Sequence, residues 1–145
     1  MTSRLFRVLR NNQGLVYGVQ SSISNNPEYA FFGVNTNCKV TDFGKVIEII
    51  NNELSKIITT EKVRTDELER AKKNILRDIK FQAETANFWI NPSFMKELTS
   101  YSDPILLDEY IDIVKSVTVN DVNLFIKKYI DGKELLLVGI GDFSK

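Results

Sequence analysis

The sequence predicts an α+β chain: two strands pairing as an antiparallel hairpin, a third strand near the C-terminus, and about five helical segments that cover part of a narrow sheet. Three observations predict it. Apolar residues alternate on both sides of the turn signal Ser24-Asn25-Asn26-Pro27-Glu28. From Phe43 to Ile58 the apolar positions recur at spacings of three and four. Near the end, Lys133 to Ile140 reads K-E-L-L-L-V-G-I, a continuous apolar run of strand length that implies burial on both faces.

The first element spans Ser3 to Ser24 and reads as a short helix, a glycine stop and a strand. Leu5, Phe6 and Leu9 gather on one side of the helix, while Arg4, Arg7 and Arg10 fan around the rest, Arg10 nearest the apolar border. Gly14 stands where a left-handed residue ends a helix. Beyond it, Leu15, Tyr17, Val19, Ser21 and Ile23 share one strand face, so Arg10 and Tyr17 can be brought together across the corner. Each residue also has a plain structural reading. Arg is favoured in a last helical turn by the dipole, and Tyr is common in strands.

The second strand, Tyr29 to Asn37, is partly apolar on both faces and is expected inside the sheet. Thr41 is the expected N-cap of the Phe43–Ile58 helix, whose Lys45, Glu48, Asn51, Asn52 and Lys56 form its solvated side. Thr65 is expected to cap a second long helix with Asp66 and Glu67 in its first turn. Asn91-Pro92 predicts a break, and Phe88, Trp89, Phe94, Met95 and Leu98 form an aromatic cluster better suited to a core than to a binding wall. Asp103-Pro104 opens the next helix, with Leu107, Tyr110, Ile111 and Val114 as its inner stripe. In the final helix Thr118 pairs with Asp121, Val117 with Val122, and Val122, Phe125, Ile126 and Tyr129 point inward; Asp131-Gly132 stops it.

Composition narrows the chemistry. The 145 residues carry 19 basic and 19 acidic side chains, so no net field draws the chain to nucleic acid or to an anionic membrane. The three Arg before Ser21 read as a solvated helix face. No apolar run reaches bilayer-spanning length and no secretory signal opens the chain. A single cysteine, Cys38, excludes an internal disulfide and suits a reducing compartment, so a soluble intracellular protein is expected; Cys38 itself reads as a small side chain at a strand end. There is no histidine. Neutral imidazoles supply most ligands of a peptidase zinc, and the Ser-His and Cys-His nucleophile pairs need one too, so these chemistries are excluded from this chain alone.

The pattern F-x-x-L-R followed by G-L-x-Y-x-V, from Phe6 to Val19, resembles the insulinase/pitrilysin-type zinc metallopeptidases, the inverzincins, and specifically their non-zinc half. E-L-E-R-A-K at Glu67–Lys72, V-T-V-N-D-V at Val117–Val122 and L-L-L-V-G at Leu135–Gly139 extend the resemblance from Ser3 to about Asp142. It implies a metallopeptidase-half-like two-layer sandwich with helices on one face of a mostly antiparallel sheet. In that family a strand and a helix precede the S-R-L-F stretch, so the chain is expected to be one domain, 1–145, truncated at its N-terminus and part of a longer polypeptide.

The resemblance further implies that Arg10 and Tyr17 grip a peptide substrate and stabilise the tetrahedral intermediate. The zinc belongs to a complementary domain or subunit, the implied partner, and this chain is expected to bind no zinc and cleave no peptide by itself. Glu84 is nearest to an acidic corner of the family, without an assignable role. Two alternatives stand beside this reading: a catalytically inactive structural or peptide-binding relative of the same fold, and a small α+β interaction module outside the family.

Overall fold

The structure is a computed structural model that describes residues 3–25, 30–85, 88, 106–133 and 135–142. Its elements are a π-helical turn (Phe6–Asn12), β1 (Val16–Asn25), β2 (Ala30–Cys38), a 3-10 turn (Val40–Asp42), and helices α1 (Phe43–Thr59), α2 (Thr65–Ala83), α3 (Leu107–Ser116) and α4 (Val119–Tyr129). This is the expected mixture of antiparallel strands and helices. They form two compact units, Met1–Lys62 with Ile126–Lys145, and Val63–Phe125.

In the first unit β1 and β2 form the antiparallel hairpin that the alternation predicts. Its turn, along with Tyr29, lies outside the described residues. Leu9, Val16 and Val46 make the buried core, with Leu5, Leu15, Val19, Cys38, Ile49 and Ile50 packed against it. The core therefore joins the π-helical turn, the hairpin and α1. Complete burial of Leu9, at 0 % exposure, is worth about 2–3 kcal/mol of apolar transfer. Arg4 adds a polar tie, its guanidinium donating to the carbonyls of Glu61 and Lys62 just past the end of α1.

Helix α1 is amphipathic as read: Val46 is buried, Phe43, Ile47, Ile50, Leu54, Ile57 and Ile58 are half-buried, and Lys45, Glu48, Asn51, Asn52 and Lys56 are exposed. Thr41 is not its cap. The chain enters through the 3-10 turn, which holds Thr41 and leaves Asp42 at the N-cap position. Glu53 departs from the polar stripe, being 8 % exposed, and Lys56 Nζ meets its carboxylate at 2.7 Å. A buried carboxylate without such a partner is costly.

In the second unit Thr65 is the first residue of α2 and Arg64 is its cap, its N–H donating to the Glu67 carboxylate at 3.0 Å. This is the reach-back half of a capping box. Helix α3 carries its expected stripe, with Leu107, Tyr110, Ile111 and Val114 all half-buried. Lys72 Nζ donates to the Lys115 carbonyl at 2.7 Å, fastening the end of α3 to α2. Asn123 brackets Val63, accepting its N–H at 3.0 Å and donating to its carbonyl at 3.4 Å. Phe88 is buried. Trp89, Asn91-Pro92, Phe94, Met95, Leu98 and Asp103-Pro104 lie outside the described residues.

Helix α4 begins with the predicted pair: the Thr118 N–H and hydroxyl both donate to the Asp121 carboxylate, at 2.8 and 2.7 Å. The Asp121 N–H returns to the Thr118 hydroxyl at 3.2 Å. Its inward stripe is narrower than expected, with Ile126 buried but Phe125 and Tyr129 exposed at 42 % and 53 %. Gly132, at φ +67°, ends it as predicted.

The expected third strand is not formed. Leu135, Leu136, Leu137, Val138 and Ile140 are all more than half exposed, and no strand among the described residues pairs with them. An extended apolar run becomes a doubly buried strand only where neighbours meet both its edges and its faces.

Candidate functional site

The site grows from the corner between the π-helical turn and β1. Gly14 takes φ +62°, a conformation that costs a residue with a Cβ, and it lets the chain reverse sharply. Two nested bonds close the corner: the Gly14 N–H donates to the Arg10 carbonyl at 3.1 Å, and the Leu15 N–H to the Leu9 carbonyl at 2.9 Å. Such paired bonds around a left-handed glycine satisfy the last carbonyls of a helix. The helix itself is wider than read from the sequence, because its central turns have π spacing. π-helical turns are rare and frequently accompany functional sites.

The second departure lies in β1. Val16 pairs with Cys38 and Val19 with Thr36, so Tyr17 and Gly18 together oppose Asn37 alone. This is a β-bulge. Strict alternation places Tyr17 on the same face as Val19; the extra residue instead lets both Val16 and Val19 meet the core while Tyr17 stands in solvent at 85 % exposure.

Together these features bring Arg10 and Tyr17 into contact. The guanidinium carbon lies 5.1 Å from the centroid of the Tyr17 ring, within cation–π range. Arg10 also donates to the Val16 carbonyl at 3.2 Å, which holds the guanidinium over the ring. On the other side of Tyr17, the Thr36 hydroxyl donates to the Gly18 carbonyl at 2.7 Å. Thr36 is not among the residues the sequence singled out, because a threonine in a strand is ordinary and the bulge that gives it a partner leaves no mark in the period-two pattern. Glu84 is an exposed residue at the C-cap of α2, on the rim of a groove of about 420 Å³ that Leu76, Ile79, Leu107 and Ile111 also line.

Residues 1–75 match the family described as the Peptidase M16 inactive domain. The chain belongs to that family. The resemblance read from Phe6 to Val19 therefore names the right group of metallopeptidases and the right half. An uncharacterized zinc protease of Streptomyces coelicolor is 28 % identical over 122 residues, covering 84 % of this chain and 26 % of that protein. One of Rickettsia felis is 32 % identical over 124 residues, covering 84 % of this chain and 29 % of that protein. The chain thus spans little more than a quarter of the length of these relatives.

Among solved structures, a conserved protein from Enterococcus faecalis matches with a TM-score of 0.67 at 24 % identity, over 87 % of this chain and 29 % of the other. The periplasmic protease PqqL from Escherichia coli matches with a TM-score of 0.69 at 22 % identity, over 88 % of this chain and 14 % of the other. At these identities the matches show a shared fold alone. The chain's own residues do not fit a zinc ion: histidine is absent from the sequence, and among the described residues no three of Cys, Asp and Glu gather to hold a metal. Among the described residues, no helix is long and apolar enough to cross a membrane.

Proposed function

We infer that this domain is the non-zinc half of a zinc metallopeptidase and supplies Arg10 and Tyr17 to a peptide-cleaving site whose zinc is held by another domain or by a partner subunit. The observation that carries the reading is the contact itself: a guanidinium seated on an exposed phenol, 5.1 Å from the ring centre, at a corner rigidly closed by Gly14. Membership in the M16 inactive-domain family and the relatives named as zinc proteases support it.

The chemistry suits the role. A phenolic O–H is a single directed donor for the negative charge that builds on a scissile carbonyl oxygen, and preorganised donors of this kind are the largest contribution in many hydrolases. A guanidinium offers five N–H donors in a planar fork. One goes to Val16, fixing its plane, and the fork grips substrate backbone carbonyls. Arg10 thereby holds the peptide while Tyr17 acts on the reacting carbonyl. The metal and its water belong to the complementary half.

Binding tests this division. In the full-length protein, Arg10→Ala weakens the affinity for a non-cleavable peptide by about tenfold, the loss of roughly one charge-assisted hydrogen bond. Unchanged affinity contradicts the reading and favours a catalytically silent relative of the same fold.

A further inference from the structure

Two side chains hold the bulge in β1, one from each side. The two carbonyls on either side of Tyr17, those of Val16 and Gly18, accept respectively from the Arg10 guanidinium at 3.2 Å and the Thr36 hydroxyl at 2.7 Å. Gly18 is not what permits the irregularity, since a Cβ added there meets nothing within 4 Å. Thr36 sits opposite Val19 on the half-buried face of β2, the first paired position beyond the bulge, and its short bond reaches back across the interruption.

We propose that Thr36 is a positioning residue for Tyr17: its hydroxyl pins the Gly18 carbonyl, fixes the bulge, and so aims the phenol outward beneath the Arg10 guanidinium. This rests on the catalytic reading of Arg10 and Tyr17 and extends it to a residue that does not itself touch substrate. The physical alternative for β1 is regular pairing, in which the extra residue is lost from the ladder elsewhere and Tyr17 rotates toward the face occupied by Val19. One hydroxyl bond at the interruption selects against that register. Small misplacement is catalytically expensive, a shift of about 1 Å in a reacting group costing up to about a hundredfold.

The test compares Thr36→Val, which keeps shape and removes the donor, with Thr36→Ser, which keeps the donor. Tyr17 is replaced by 3-fluorotyrosine in the full-length protein, and its fluorine resonance is read alongside peptide turnover, with Arg10→Ala as the reference for a lost ring contact. The expected result is that Thr36→Val moves the resonance to the Arg10→Ala position and lowers kcat by about tenfold with KM changed less than about twofold, whereas Thr36→Ser preserves both. A resonance unmoved by Thr36→Val overturns the proposal, as does a Thr36→Ser variant that behaves like Arg10→Ala. Should Thr36→Val fail to fold, Thr36→Ala read against Thr36→Ser decides: a resonance moved in Thr36→Ala and kept in Thr36→Ser upholds the proposal, and one unmoved in Thr36→Ala overturns it. A moved resonance in a protein whose turnover is insensitive to Tyr17→Phe upholds the positioning role and removes the catalytic reading instead.

Discussion

The guanidinium of Arg10 lies over the ring of Tyr17 at 5.1 Å while also donating to the carbonyl of Val16, the residue just before that tyrosine. The two side chains are therefore one unit, fixed by the backbone at both ends of the corner. A lysine in place of Arg10 keeps the charge and loses the fork and the stacking plane. Arg10→Lys is expected to fall between the wild type and Arg10→Ala, binding a non-cleavable peptide about threefold to fivefold more weakly than the wild type when the full-length protein is titrated with it.

Gly14 is the hinge pin of that corner. Its surroundings leave room for a methyl group, with nothing within 4 Å of an added Cβ, so the cost of Gly14→Ala is confined to the backbone at φ +62°. That cost is roughly 1–2 kcal/mol. Urea unfolding should show a midpoint lowered accordingly with an unchanged slope.

Leu9 links the corner to the rest of its unit, being fully buried against Val16 and Val46. Leu9→Ala is expected to cost about 3 kcal/mol, the range for a core leucine whose cavity cannot collapse completely. Equilibrium denaturation measures it. A loss below about 1 kcal/mol contradicts the placement of the core.

The start of α4 carries an acid-sensitive contact. Bonds from the Thr118 hydroxyl and N–H hold the Asp121 carboxyl below its ordinary 3.8. A depressed folded value means that the stabilisation is present above the unfolded value and disappears as pH falls through the lower, folded one. Asp66 behaves alike, lowered chiefly by its bond from Arg64. A carbon-detected titration should place Asp121 below 3.8 in the native protein and return it toward 3.8 in Thr118→Ala.

The legible parts of this fold are those fixed by local chemistry. Gly14, the Thr118–Asp121 pair and the α1 stripe each depend on residues within one or two turns, and the structure reproduces them. The bulge at Tyr17 was not legible: it is set by Thr36, nineteen positions away, and a period-two count passes through it unaware. Thr41 and Thr65 are miscounted by a residue or so because a 3-10 turn and an arginine cap take the helix starts. The run at 135–140 has the composition of a buried strand, but composition states what a segment suits, and its burial depends on partners that are not adjacent in sequence. Phe125 and Tyr129 follow the helical repeat and yet face solvent, since periodicity marks a stripe without fixing its width.

The phenol of Tyr17 separates cleanly from its ring. Tyr17→Phe preserves the cation–π contact with Arg10 and removes only the O–H, so it isolates the donation on which the catalytic reading turns. The decisive measurement is kcat for peptide cleavage by the full-length Tyr17→Phe protein, with zinc content determined in the same sample. The account predicts a fall of at least about tenfold, and up to about two or three orders of magnitude, at unchanged zinc. Wild-type turnover at full zinc occupancy contradicts it.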